Sequence, residues 1–251
     1  MKSIRKIGLP ALAACALLTA CGSGSHPTTE SSTASTRPQP DSAVQGAPQA
    51  TVPVGAVPGN PAAAQAIQPW ARDLVGGDFD RLIRNCWTIE PSRAREMYGD
   101  KDGILAALAQ PGRDGQFTVT WEGPTKTVHV YRDEIASGYA CPRVSATGAF
   151  TTLNEIDARY ALHRYLGRWT ASPVNPDDTE DKYPLVCPGS PLADNPGKVT
   201  GADAFDEGKS TVAAADYGGY DITVPVSSRY RQSLTFRLAI GPWGYCVSDA
   251  N

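Results

Sequence analysis

Four cysteines, Cys86, Cys141, Cys187 and Cys246, are the most chemically specific residues in the C-terminal part of this chain. An even number in an exported protein points to disulfides, and four cysteines allow three connectivities. The intervals Cys86 to Cys141 and Cys187 to Cys246 are nearly equal. Each second cysteine also ends a similar phrase, Gly138-Tyr139-Ala140-Cys141 and Gly244-Tyr245-Cys246. The spacing therefore favours Cys86–Cys141 and Cys187–Cys246. A zinc site would want cysteines two to four residues apart, and none are, so no metal is expected. Five carboxylates, Glu122, Asp133, Glu134, Glu155 and Asp157, fall near predicted strands. Two of them across one cleft, one with a raised pKa, would suit a hydrolase. His129 and His163 lie in no HExxH, and no GxSxG elbow exists. Gly208-Lys209-Ser210-Thr211 ends like a P-loop, but Asp203 stands where the first glycine belongs, so it reads as a turn. The acidic run Asp177–Asp181 lacks the alternation of a calcium loop and reads as a solvated segment. No catalytic residue and no cofactor site is assigned.

At the other end, Lys2, Arg5 and Lys6 precede a short apolar run, Ile7 to Leu18, too short to span a bilayer. Leu18-Thr19-Ala20-Cys21-Gly22 resembles a bacterial lipobox. The resemblance implies that residues 1–21 hold a lipoprotein signal peptide, cleaved before Cys21, whose thiol receives a diacylglycerol. Several acyl chains make a stable anchor. Residues 22–66 contain no Leu, Ile, Phe, Tyr or Trp and are rich in Ser, Thr, Pro and Ala, so they read as a disordered tether. About 45 such residues reach roughly 35–40 Å.

Ordered structure is expected over 67–251, with a possible subdivision near 173–185. Trp70 and Leu74-Val75 start a helical face. Asp78 caps a second helix with Phe79, Leu82, Ile83 and Cys86 at one-sided spacing. Further helical turns follow Pro91 and surround Ile104 to Leu108. The period then changes to two: Phe117, Val119 and Trp121, then Val128 and Val130, alternate with polar neighbours, and 137–144 reads as a third strand. Residues 153–169 fit either period. Thr152-x-x-Glu155 resembles a capping box, but the position after three strands favours a fourth strand. Segments 211–217, 220–227, 233–240 and 244–248 read as strands. The fold class is α+β: N-terminal helices, then an antiparallel β-rich region, stapled by two disulfides.

The net charge of −3 leaves no basic excess for nucleic acid, and removing Lys2, Arg5 and Lys6 makes the chain more acidic. Ten aromatic residues cluster around the strands and cysteines: Trp87, Trp121, Tyr131, Tyr139, Tyr160, Tyr165, Trp169, Tyr183, Trp243 and Tyr245. They either fill the core or line an apolar cavity for a lipid or glycan. The lipobox, the tether and the Arg- and Ala-rich composition together resemble an actinobacterial cell-envelope lipoprotein of mycobacterial or nocardial type. The order of elements from Trp70 to Trp169 is similar to the nuclear-transport-factor-like cone, whose concavity often binds ligands. These resemblances imply a protein on the extracytoplasmic face of the cell membrane, held by its lipid. It would be a non-enzymatic binder of an envelope lipid, glycan or protein; the alternatives are an envelope hydrolase using a carboxylate pair and a structural or assembly factor. Cys21→Ala is expected to release the protein from membranes or leave it unprocessed. Recovery of that variant in the membrane fraction at wild-type mass would refute the lipid anchor.

Overall fold

The computed structural model describes residues 51–149, 152–194, 202–229 and 232–251; Cys21, the expected signal segment and most of the expected tether lie outside them. Two layered halves follow one another in the chain, each with its own buried core, within one compact unit. In the first, helices α1 (Pro61–Gly76), α2 (Phe79–Asn85), α3 (Pro91–Met97) and α4 (Lys101–Leu108) precede a four-stranded antiparallel sheet. Its strands run β1 (Arg113–Asp114), β2 (Thr118–Glu122), β3 (Lys126–Tyr131) and β4 (Arg143–Ala146) in sequential order, with the short helix α5 (Arg132–Ile135) between β3 and β4. Trp121 pairs with Val128 and Val128 with Val144, so one sheet face is apolar and closes on Trp70, Tyr98, Ile104 and Leu108. Tyr98 is fully buried but satisfied, donating its hydroxyl to the Pro142 carbonyl at 2.9 Å.

In the second half α6 (Glu155–Trp169) covers a sheet ordered β5 (Ala204–Phe205), β7 (Tyr220–Ser227), β8 (Ser233–Gly241) and β9 (Gly244–Ala250). Strand β6 (Thr211–Ala214) also pairs with β7, and a one-turn helix α7 (Pro191–Asp194) lies before β5. Asp78 caps α2 as expected, accepting from the Arg81 amide at 3.0 Å. Both expected disulfides are present: Cys86–Cys141, Cα atoms 5.4 Å apart, in the first core, and Cys187–Cys246, 5.0 Å apart, tying the long loop after α6 to β9.

Four expectations are corrected. Residues 153–169 form a helix, not a strand. Asn154 accepts from the Ile156 and Asp157 amides while Asp157 accepts from the Asn154 amide, a reciprocal cap two residues beyond the expected one. Ala158, Ala161, Leu162, Tyr165 and Leu166 then form a helical stripe on the second sheet. Order also begins well before Ile67. Val52 and Val57 are buried, and the Trp121 indole donates to the Gly55 carbonyl at 2.9 Å. Residues 51–60 lack large apolar groups, but their valines and carbonyls complete the core around Trp121. The third strand starts at Arg143 rather than Ser137, because α5 and its loop occupy that stretch.

The acidic run differs as well. Asp178 is fully buried, gripped by Arg164 at 3.1 and 2.7 Å and by Arg168. Arg168 also binds Glu180 and the Tyr183 carbonyl, both at 2.6 Å. Glu180 in turn accepts the Leu185 and Val186 amides. Removing one partner of such a cluster strands uncompensated buried charge. Asp178→Ala is therefore expected to lower stability by about 3–5 kcal/mol, read as the shift of a urea unfolding midpoint; a change below about 1 kcal/mol, the scale of an exposed ion pair, would show that the cluster holds nothing together.

Candidate functional site

An apolar groove lies on the helical side of the first half. It is lined by Thr51–Pro53, by Pro69, Arg72, Asp73, Val75 and Gly76 of α1, by Leu105 and Ala109 at the end of α4, and by Tyr139. Its volume is about 680 Å³. Val75 is 47% exposed within it, an apolar side chain left facing solvent. The helix stops there because Gly77 adopts φ 72°, a left-handed conformation that glycine takes without strain. The rim is polar: Tyr139 donates to Asp73 at 2.8 Å, and Arg81 stands 3.6 Å from the same carboxylate. Burial raises the Tyr139 pKa, so the phenol stays a donor.

A second opening is narrow and polar, about 70 Å³, between the first sheet and α6. Of the five carboxylates named from sequence, it gathers Asp133 and Glu134 from α5 and Asp157 from α6. Glu122 instead pairs with Arg113 across the open face of the first sheet, and Glu155 with Arg159 one helical turn on. Glu134 accepts the Cys141 amide at 2.6 Å and the Thr88 hydroxyl at 3.2 Å. Loss of hydration nonetheless pushes its pKa up to about 7, against the pull of that amide and of Arg143. It carries a proton near neutrality and could donate it. Asp157 is engaged as the α6 cap and lies 3.7 Å from Arg93 and 3.9 Å from Arg143.

A third hollow, about 210 Å³, adjoins both openings. It shares Asn85 and Tyr139 with the groove, and Thr88, Glu134 and Tyr183 with the carboxylate cleft. The aromatic residues thus divide. Trp121, Tyr165 and Tyr245 are buried in the two cores, Tyr245 also reaching the cleft, and Trp169 packs against the second core, while Trp87, Tyr131, Tyr139, Tyr160, Tyr183 and Trp243 line openings. The groove walls were not named from sequence; the one available signal was the apolar Val52, Val54 and Val75 in segments read as tether or helix end.

Neither histidine joins these sites. His129 faces the open side of the first sheet, 3.0 Å from Thr120, its pKa lowered by burial. His163 meets Glu207 at 3.1 Å, which raises its pKa. Gly208 to Thr211 is a tight turn leading into β6. Among the described residues, no group of three His, Cys, Asp or Glu could hold a metal, and no helix is long and apolar enough to cross a membrane. No protein-family model, curated protein or solved structure matches this chain.

The raised Glu134 pKa has a defined sign. Between its ordinary value near 4.5 and about 7 the folded state holds a proton that the unfolded state has lost, so this group's contribution to stability falls as pH rises. Glu134→Gln, which keeps an acceptor for Cys141, is expected to remove that decline and to gain stability relative to wild type above pH 7. Urea midpoints of both proteins from pH 4 to 8 check this; parallel profiles would place the Glu134 pKa at its ordinary value.

Proposed function

We propose that this protein is a lipid-anchored, extracytoplasmic binding protein whose groove receives an acyl chain of an envelope lipid. The observation that carries the reading is the groove itself: an apolar-walled opening of about 680 Å³, inside the range of roughly 300–1,000 Å³ typical of small-molecule sites. Its position supports a membrane lipid as occupant. Thr51–Pro53 belong to its wall, 30 residues along the sequence from Cys21. A lipid-modified Cys21 would tie the segment that carries this wall to the bilayer. Burying a chain there removes methylene surface from water at about 0.8 kcal/mol per CH2.

The hydrolase reading draws on Asp133, Glu134 and Asp157 sharing one cleft and on the proton held by Glu134. Two facts count against it. Asp157 is committed to the α6 cap and flanked by two arginines. The cleft's 70 Å³ has room for several waters, each needing roughly 10–15 Å³, but not for a sugar ring between two carboxylates.

A photoreactive palmitate analogue added to membranes carrying the full-length protein is expected to label peptides containing Val75, Leu105 and Tyr139. Val75→Glu adds a charge to an exposed groove position and is expected to cut that labelling at least about tenfold, since an acyl chain cannot compensate a carboxylate. Unchanged labelling, or labelling elsewhere only, would refute the groove as the lipid site.

A further inference from the structure

From the continuity of the openings we infer that the lipid bears a saccharide headgroup, seated in the 210 Å³ hollow between the acyl groove and the carboxylate cleft. This rests on the acyl-chain reading of the groove and adds the chemistry of the other end of the ligand.

The groove and the hollow share Asn85, the last residue of α2, and Tyr139. A ligand leaving the groove passes directly into the hollow. The wall chemistry changes at that boundary. Beyond the prolines, Val75 and Leu105 of the groove come Asn85, Thr88, Ser137, Asn175 and Tyr183, uncharged polar groups; the Thr88 and Ser137 hydroxyls donate to Glu134 and keep acceptor lone pairs. Asn175 uses its side-chain oxygen to accept the Asp177 amide at 2.9 Å, which directs its NH2 donors away from that turn. Trp87 and Tyr183 meet edge to face, centroids 4.7 Å apart, and form an aromatic corner. Amide and hydroxyl groups beside an aromatic plate match a sugar, whose hydroxyls donate and accept and whose C–H faces are apolar.

Charge argues against a phosphate headgroup. The hollow has one guanidinium, Arg84, and one charged carboxylate, Asp177, which is itself paired with Lys182 at 2.8 Å. A phosphodiester there would meet no arginine cluster, only the single Arg84. The disulfide Cys86–Cys141 lies directly beneath, with Cys141 in the wall. One side of the hollow is thereby set on cross-linked backbone, while Asn175, Asp177 and Tyr183 come from the loop after α6.

The test compares two lipids with identical photoreactive acyl chains, a digalactosyl diacylglycerol and a phosphatidylglycerol, in vesicles carrying the full-length protein. The expected result is groove labelling at least about tenfold greater for the sugar lipid, the discrimination that a few dedicated hydrogen bonds provide. Asn175→Asp keeps the acceptor for the Asp177 amide but replaces the donor amide with a charge; it is expected to abolish the preference. Equal labelling by both lipids, preference for phosphatidylglycerol, or a preference that survives Asn175→Asp each overturns the headgroup inference and leaves the groove reading standing. Absence of groove labelling by either lipid, and by free palmitate, overturns both.

Discussion

A carboxylate with no exposure to solvent, Asp178, is the constraint on which the arrangement of the openings depends. Buried charge is tolerable only when paired and hydrogen-bonded. Arg164 and Arg168, one helical turn apart on α6, supply that pairing from one side. The loop after α6 is consequently drawn back along its own helix. Glu180 and Arg168 fix the backbone at Tyr183 to Val186, so that Cys187 is delivered to Cys246. Arg164, which grips Asp178, lies 5.0 Å above the Trp87 ring, and Trp87 packs on Tyr183. One ion cluster therefore sets the loop, the second disulfide and the aromatic corner of the central hollow.

The two halves use similar means to different ends. Each is a sheet with one apolar face covered by helix, and each is crossed by a disulfide. In the chain-entropy model, loops of this length stabilise by about 4 kcal/mol each. The first disulfide also has a local role. It holds Cys141 where its amide reaches Glu134, and the loop between them carries Tyr139 to the end of the groove. Polar groups at this seam are satisfied by backbone: Glu134 by an amide, Tyr160 by the Trp87 carbonyl at 2.6 Å, Arg168 by the Tyr183 carbonyl. Side chains held in this way need little reorganisation on ligand binding.

The series of openings grades from apolar to polar along its length. The groove offers area and little direction; the hollow and cleft offer directed hydrogen bonds and little volume. Such a gradient suits an amphipathic ligand, with affinity drawn from the chain and discrimination from the head.

Much of the fold was legible in the sequence because it rests on local chemistry. The alternation at Val119–Trp121 and Val128–Val130, the Asp78 cap and the strands at 220–227 and 233–240 follow from side-chain period and capping alone. The disulfide pairing followed from repeated phrases and matched intervals. The Leu18–Cys21 run sets the expected address in the same way. Long-range burial decided the rest. Residues 155–169 satisfy both periods, and what favours the helix is the Asn154–Asp157 cap together with a sheet, built from residues far downstream, for its stripe to cover. Val52 and Val57 are unremarkable in a Ser- and Pro-rich stretch until Trp121 needs a carbonyl partner and a cover. Asp178 reads as solvated until two arginines on α6 enclose it. The gathering of Asp133, Glu134 and Asp157, and the sorting of the aromatic residues between cores and openings, come from the packing of distant elements. Local periodicity records which face of an element is apolar; it holds no record of what that face will meet, and the meeting makes the groove, the hollow and the cleft.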